Sequence, residues 1–229
     1  MRRKRSFLQE FPVLIVVALV VSLFIKTFIV QFFFIPSGSM ENTLQIDDRV
    51  AVNRIPFIGN DIKRGDVVVF RDPDNWLPAA DVSDSPFVIA KVKSALVAVG
   101  VLPNPAKQYL VKRVVGVAGD RVICCTTTGK ITVNGQEMIE PYIFAGNVPS
   151  DMNFDVTVPK GKLWVMGDHR GASADSRFHQ DDINKGFVPL NRITGRVLAV
   201  IWPIKNISLV PNVDALNQPP EKTKTKKYS

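Results

Sequence analysis

The sequence predicts a mostly β protein: an antiparallel β domain carried on a single N-terminal transmembrane helix. Three observations predict it. Phe7 to Phe28 is apolar, with only Gln9, Glu10 and Lys26 as strongly polar interruptions. Seven short Val/Ile-rich runs follow, most of them bounded by Gly, Pro, Asn or Asp. Asn134-Gly135 stands between two apolar runs, the dipeptide that a type I′ hairpin favours. With 229 residues, 46% of them hydrophobic and 22% charged, the chain has material for one moderate core and not for two large ones.

The first element is the anchor. About 20 helical residues cross the hydrocarbon core of a bilayer, so residues 7–28 suffice, and Lys26 lies near enough to the far edge to snorkel to the interface. A cleaved signal peptide fits worse. The apolar stretch is too long, and phenylalanines (Phe28, Phe32, Phe33, Phe34) stand where a small-residue cleavage site would have to be. Arg2, Arg3, Lys4 and Arg5 precede the span, against Lys26 and Arg49 at its far side, which places residues 1–6 in the cytoplasm and residues 29–213 outside.

The expected strands are, in order, Asp48–Arg54, Asp66–Phe70, Tyr109–Val115, Arg121–Thr126, Lys130–Val133, Lys162–Met166 and Gly195–Ile201. Gly129-Lys130 is a second turn. Residues 72–86 are rich in turn formers and read as an exposed loop. Phe87 to Leu102 suits a short helix, on the bilayer surface or on the sheet. Residues 214–229 read as a solvated basic tail.

Charge distribution excludes nucleic acid as the main partner. Of the net +8, four charges sit in residues 2–5 and three in the stretch Glu221 to Lys227, leaving one for the domain between them. Two Cys and two His are too few for a structural zinc site, no HExxH is present, and no metal or cofactor is expected. Cys124 and Cys125 are neighbours on an expected strand, so their side chains should point to opposite faces, which favours two free thiols over a strained vicinal disulfide, although the outside compartment permits oxidation.

Three segments carry chemistry. Pro36-Ser37-Gly38-Ser39-Met40 puts two hydroxyls and a glycine directly after the apolar segment, a plain turn if read alone. In Leu110-Val111-Lys112-Arg113-Val114 the strand period sets Lys112 on the face of Leu110 and Val114. Lysine is almost never fully buried without a partner, and burial draws its pKa down from roughly 10.4, so its amine can then accept a serine proton. The run Gly167-Asp168-His169-Arg170-Gly171-Ala172-Ser173-Ala174-Asp175-Ser176-Arg177 is an Asx-rich loop in which Asp168/Arg170 and Asp175/Arg177 suggest local ion pairs. A Ser-His-Asp or metal site around His169 and His179 is the competing arrangement, but no Gly-x-Ser-x-Gly elbow accompanies it.

Together these segments, with Thr43-Leu44, Arg64 to Phe70 and Gly116 with Gly119-Asp120, resemble the bacterial type I signal peptidases, membrane-anchored Ser-Lys proteases. The boxes occur in the family's order along the chain. The resemblance implies an antiparallel β catalytic domain, Ser39 as nucleophile and Lys112 as general base. It further implies Ser37 in the oxyanion hole, Ser173 as the hydroxyl that orients Lys112, and Asp168, Arg170, Asp175 and Arg177 as structural support. The implied partners are signal-peptide-bearing pre-proteins and the lipid bilayer. The chain departs from the family's usual residues at Asn42 and Ala118, where Pro is common, and across His169 to Ala172. A soluble Ser-Lys autoproteolytic repressor shares the dyad logic but carries a DNA-binding domain, and a non-enzymatic β module would need Lys112 to be merely structural.

Overall fold

The computed structural model describes residues 11–19, 30–54, 62–78 and 108–216. Every strand pairing in it is antiparallel. The strands are β1 (Val30–Phe34), β2 (Arg49–Asn53), β3 (Val67–Arg71), β4 (Tyr109–Gly116), β5 (Arg121–Cys124), β6 (Ile131–Val133), β7 (Gln136–Glu137), β8 (Phe154–Thr157), β9 (Lys162–Met166), β10 (Val188–Pro189), β11 (Ile193–Trp202) and β12 (Ser208–Leu209). The larger sheet runs β1-β2-β11-β3-β4-β9-β10, with β12 on β11, and the smaller runs β7-β6-β5-β8.

All seven expected strands are present. At the β6–β7 hairpin Asn134 and Gly135 have φ of 54° and 83°, the left-handed pair that a type I′ turn requires. Val122, Ile131, Val133 and Phe154 of the small sheet form one core with Trp164 and Met166 of β9. Gly116, at the end of β4, allows this approach: a Cβ there would lie 2.7 Å from the Val122 side chain.

Of the expected span, residues 11–19 are helical and the rest lies outside the described residues, among which no helix is long and apolar enough to cross a membrane. Other expectations are corrected. The apolar run beyond Phe28 includes a strand, β1, with Phe33 buried and Phe32 and Phe34 exposed. Only 72–78 of the 72–86 loop is described, and it is not wholly exposed, since Trp76 is buried against Phe70. The expected Phe87–Leu102 helix lies outside the described residues. Ala215, assigned to the tail, is buried, and its carbonyl accepts from Ile139 N at 2.9 Å, so folded chain continues past 213. Cys124 and Cys125 are joined in a disulfide: β5 ends at Cys124, so the two-face rule for neighbouring strand residues does not extend to Cys125.

Among the described residues the topology leaves one edge open where it matters. β3 pairs with β4 from Tyr109 to Arg113, but β9 pairs only with Arg113 to Gly116. On that side Tyr109 to Lys112 has no strand neighbour among the described residues.

Candidate active site

After β1 the chain turns sharply. Gly38–Met40 forms a single 3-10 turn, closed by Glu41 N donating to Gly38 O at 3.0 Å. Thr43 N then donates to Met40 O at 3.1 Å across Glu41 and Asn42, whose φ of 86° makes this a type II turn. Met40 and Leu44, at 1% and 0% exposure, are driven into the core, and they anchor the turn that carries Ser39.

Lys112 meets Ser39 from β4. Its Nζ lies 2.6 Å from Ser39 Oγ, and both side chains are buried. Burial lowers the Lys112 pKa from 10.5 to about 8; Asp175 and Asp168 oppose that shift and Arg177 assists it. At pH 7 to 8 a useful fraction of the amine is therefore neutral. Ser37 Oγ lies 3.4 Å from Ser39 Oγ.

The loop after β9 folds around Asp175. Its Oδ2 accepts from Gly167 N at 2.9 Å and from Ser173 Oγ at 2.8 Å, and its Oδ1 accepts from Arg177 Nε at 2.8 Å. Ser173 thus donates to Asp175, while the hydrogen bond of Lys112 goes to Ser39, so the expected contact between the Ser173 hydroxyl and Lys112 is not formed; the Asp175 carboxylate acts on Lys112 through its charge, raising the lysine pKa. Gly167 is the point of closest approach, because a Cβ there would overlap the Ser173 hydroxyl and the Ser39 carbonyl. His169 N donates to Ser39 O at 3.1 Å and ties the loop to the serine turn.

The expected Asp168/Arg170 pair does not form. Asp168 accepts from Arg113 Nε at 2.8 Å and Nη2 at 2.6 Å, while Arg170 pairs with Glu140. The cause is strand register. Arg113 stands opposite Met166, two residues before Asp168, so the β4 guanidinium meets that carboxylate as a planar fork. Burial works against the Arg113 charge, but its hydrogen bonds to Asp168 outweigh that and hold its pKa above the ordinary value. Arg113 also donates to Gly65 O at 2.8 Å and Thr43 Oγ1 at 3.0 Å, and it stacks on Tyr142. Arg113, Thr43, Glu140 and Tyr142 went unnoticed as site support. A second buried-face cation beside Lys112 was a signal for Arg113; Glu140-Pro141-Tyr142 shows no periodicity that would have marked it.

Both imidazoles are engaged elsewhere. His169 Nδ1 bonds Glu41 Oε2 at 2.9 Å and its ring stacks on Phe144; His179 Nδ1 bonds Asp182 Oδ2 at 2.8 Å and its ring stacks on Trp76. No group of three metal-binding side chains occurs among the described residues. Around Ser39 and Lys112 opens a cleft of about 260 Å³, floored by Tyr109 to Lys112 and walled mostly by apolar side chains.

A buried amine against a serine hydroxyl, beside an open strand edge, is suited to acyl transfer from an extended peptide. A family model described as signal peptidase, peptidase S26, matches residues 8–202. A probable signal peptidase I of Mycobacterium leprae is 37% identical over 228 residues, covering 88% of this chain and 78% of that one. A signal peptidase I of Mycobacterium tuberculosis is 36% identical over 231 residues, covering 92% and 78%. A probable signal peptidase I-2 of Synechocystis sp. is 32% identical over 195 residues, covering 85% and 73%. These similarities define a class, the serine endopeptidases. The chain belongs to the signal peptidase family, peptidase S26, and within it to the bacterial type I signal peptidases.

Proposed function

We propose that this protein cleaves N-terminal signal peptides from exported pre-proteins at the outer face of the cytoplasmic membrane, with Ser39 as nucleophile and Lys112 as general base. The observation that carries the assignment of residues is the 2.6 Å approach of Lys112 Nζ to Ser39 Oγ. Neutral Lys112 takes the hydroxyl proton as Oγ attacks the scissile carbonyl. The resulting oxyanion is met by the Ser39 N–H and the Ser37 hydroxyl. Lys112 then gives the proton to the leaving amine, and a water activated by the same amine releases the acyl-enzyme. Ser173, Asp175, Arg177, Asp168 and Arg170 hold the loop against the dyad.

An extended substrate pairs with the open edge of Tyr109 to Lys112, and its side chains alternate between two sides of the cleft. On one side Phe33 and Ile35 are buried in the cluster against which Val111 packs. Residues one and three before the cut face this side, where a shallow apolar space favours small side chains such as Ala.

Residues 7–28 anchor the protein as a single span with residues 1–6 in the cytoplasm and the catalytic domain outside. The sheet supports contact with the bilayer. Phe32, Ala51, Ala199 and Leu209 fall in one register row across β1, β2, β11 and β12, and Phe32 and Leu209 are exposed. Exposed Trp202 and Phe34 flank Arg49 in the next such row, an arrangement typical of an interface between water and lipid. Protease added outside cells with permeable walls should then digest the domain and spare the N-terminus.

Function is tested by incubating a synthetic pre-protein with the detergent-solubilised full chain and with its Ser39→Ala variant. The wild type should cut once, after the signal peptide. Equal cutting by the variant would remove Ser39 from the mechanism.

A further inference from the structure

Leu77 lines the cleft together with Ser39 and Lys112, yet it belongs to a segment, residues 72–78, that contributes no residue to the catalytic chemistry. That segment is tied at both ends to Gln108, the residue before β4. Asp72 N donates to Gln108 O at 3.0 Å, and Gln108 Nε2 donates to Pro78 O at 2.5 Å. Within it the Asp72 carboxylate accepts from Trp76 N and Leu77 N, both at 2.8 Å. Trp76 is wedged between Phe70 and the stacked His179 ring, and Asp74 accepts two hydrogen bonds from Asn184. Leu77 is therefore held in place rather than draped over the cleft.

Its side is fixed by the two faces of β4. Tyr109 and Val111 pack with the cluster of Phe33 and Ile35, whereas Leu77 packs with the cluster that contains Leu110. A substrate strand on the open edge sends successive side chains to these two sides in turn. If the residues one and three before the cut face Val111, the residue between them faces Leu110 and meets Leu77.

We propose that Leu77 is a specificity-determining residue that limits the size of the substrate side chain two positions before the cut. The proposal rests on the reading of the chain as a peptidase that binds an extended pre-protein. A leucine anchored by its own backbone and by Trp76 cannot retreat, so a bulky side chain at that position is overpacked. Excess volume in an apolar site costs about tenfold or more in kcat/KM.

The test is a residue scan of peptide substrates at one, two and three positions before the cut, run on the full-length enzyme and on its Leu77→Ala, Leu77→Val and Leu77→Phe variants. Leu77→Ala should raise kcat/KM for Phe or Trp at the second position about tenfold, and Leu77→Val should do so less. Leu77→Phe should lower it for Leu at that position. Preferences at the first and third positions should change less than about twofold. If Leu77→Ala does not fold, the opposite shifts of the Val and Phe variants decide the matter. An unchanged second-position profile, or a change confined to the first and third positions, overturns the role of Leu77 while leaving the peptidase reading intact. Failure of the wild type to cut any substrate would overturn both.

Discussion

Lys112 Nζ lies 2.6 Å from Ser39 Oγ although 73 residues separate the two in the chain. Nothing local holds that distance. It is produced by β3 and β9 fixing β4 from either side, and by Met40 and Leu44 anchoring the serine turn in the core. The amine accordingly titrates as a buried group.

Activity should therefore follow the lysine. Because only the neutral amine accepts the serine proton, kcat/KM should rise with pH through about 8, the value to which burial lowers Lys112. Lys112→Arg should be folded and inactive, since guanidinium stays charged. A pH-rate profile flat from 6 to 9, or a working arginine variant, would remove lysine as the base.

The same burial has a cost in stability. Between pH 8 and 10.5 the unfolded chain keeps the Lys112 proton and the folded chain has released it, so stability rises with pH across that window. Below pH 8 the full penalty, about 3 kcal/mol, is present. Lys112→Met should thus be more stable than wild type at pH 7, by up to about 3 kcal/mol, with the gain fading toward pH 10.5. Urea denaturation at pH 7 and pH 10 measures it, and an identical gain at both would contradict the account.

The two serines should separate kinetically. Ser39→Ala removes the nucleophile and should abolish turnover. Ser37→Ala removes one oxyanion donor and should lower kcat by roughly 10²- to 10³-fold with little change in KM. Comparable residual rates in single-turnover assays would show the roles to be misassigned.

What the sequence disclosed and what it hid divide along sequence distance. Lys112 among Leu110 and Val114 was legible because strand period is a local property, and Asn134-Gly135 marked its hairpin for the same reason. β8 was missed because Phe154-Asp155-Val156-Thr157 carries a charge in place of a continuous Val/Ile run. β1 was hidden inside an apolar run that reads as more anchor. The Arg170 error has the same root. A carboxylate two residues from an arginine looks like its partner, yet sheet register brought Arg113 to Asp168 and sent Arg170 to Glu140.

That Arg113–Asp168 pair is fully buried, with side-chain exposures of 1% and 0%. Removing one member leaves the other charge unpaired in the interior, which costs about 3–5 kcal/mol. Asp168→Ala should lose that much stability in denaturant titration and should lose activity with it. A loss below about 1 kcal/mol would show that water reaches Arg113.

Asn42 tests the serine turn from an unexpected direction. Proline is common at this position in the family, so Asn42→Pro looks conservative. Here Asn42 has φ of 86°, and proline's ring holds φ near −65°. Asn42 Nδ2 also donates to Tyr142 O at 3.0 Å and so secures the turn from outside. Asn42→Pro should consequently destabilise the protein by more than about 1 kcal/mol and disturb Ser39. Asn42→Gly tolerates the φ and loses only the side-chain bond, so it should cost less and keep most of kcat. Thermal melts and initial rates of the two variants decide it: a proline variant as stable and active as wild type would mean that residue 42 does not hold the left-handed conformation.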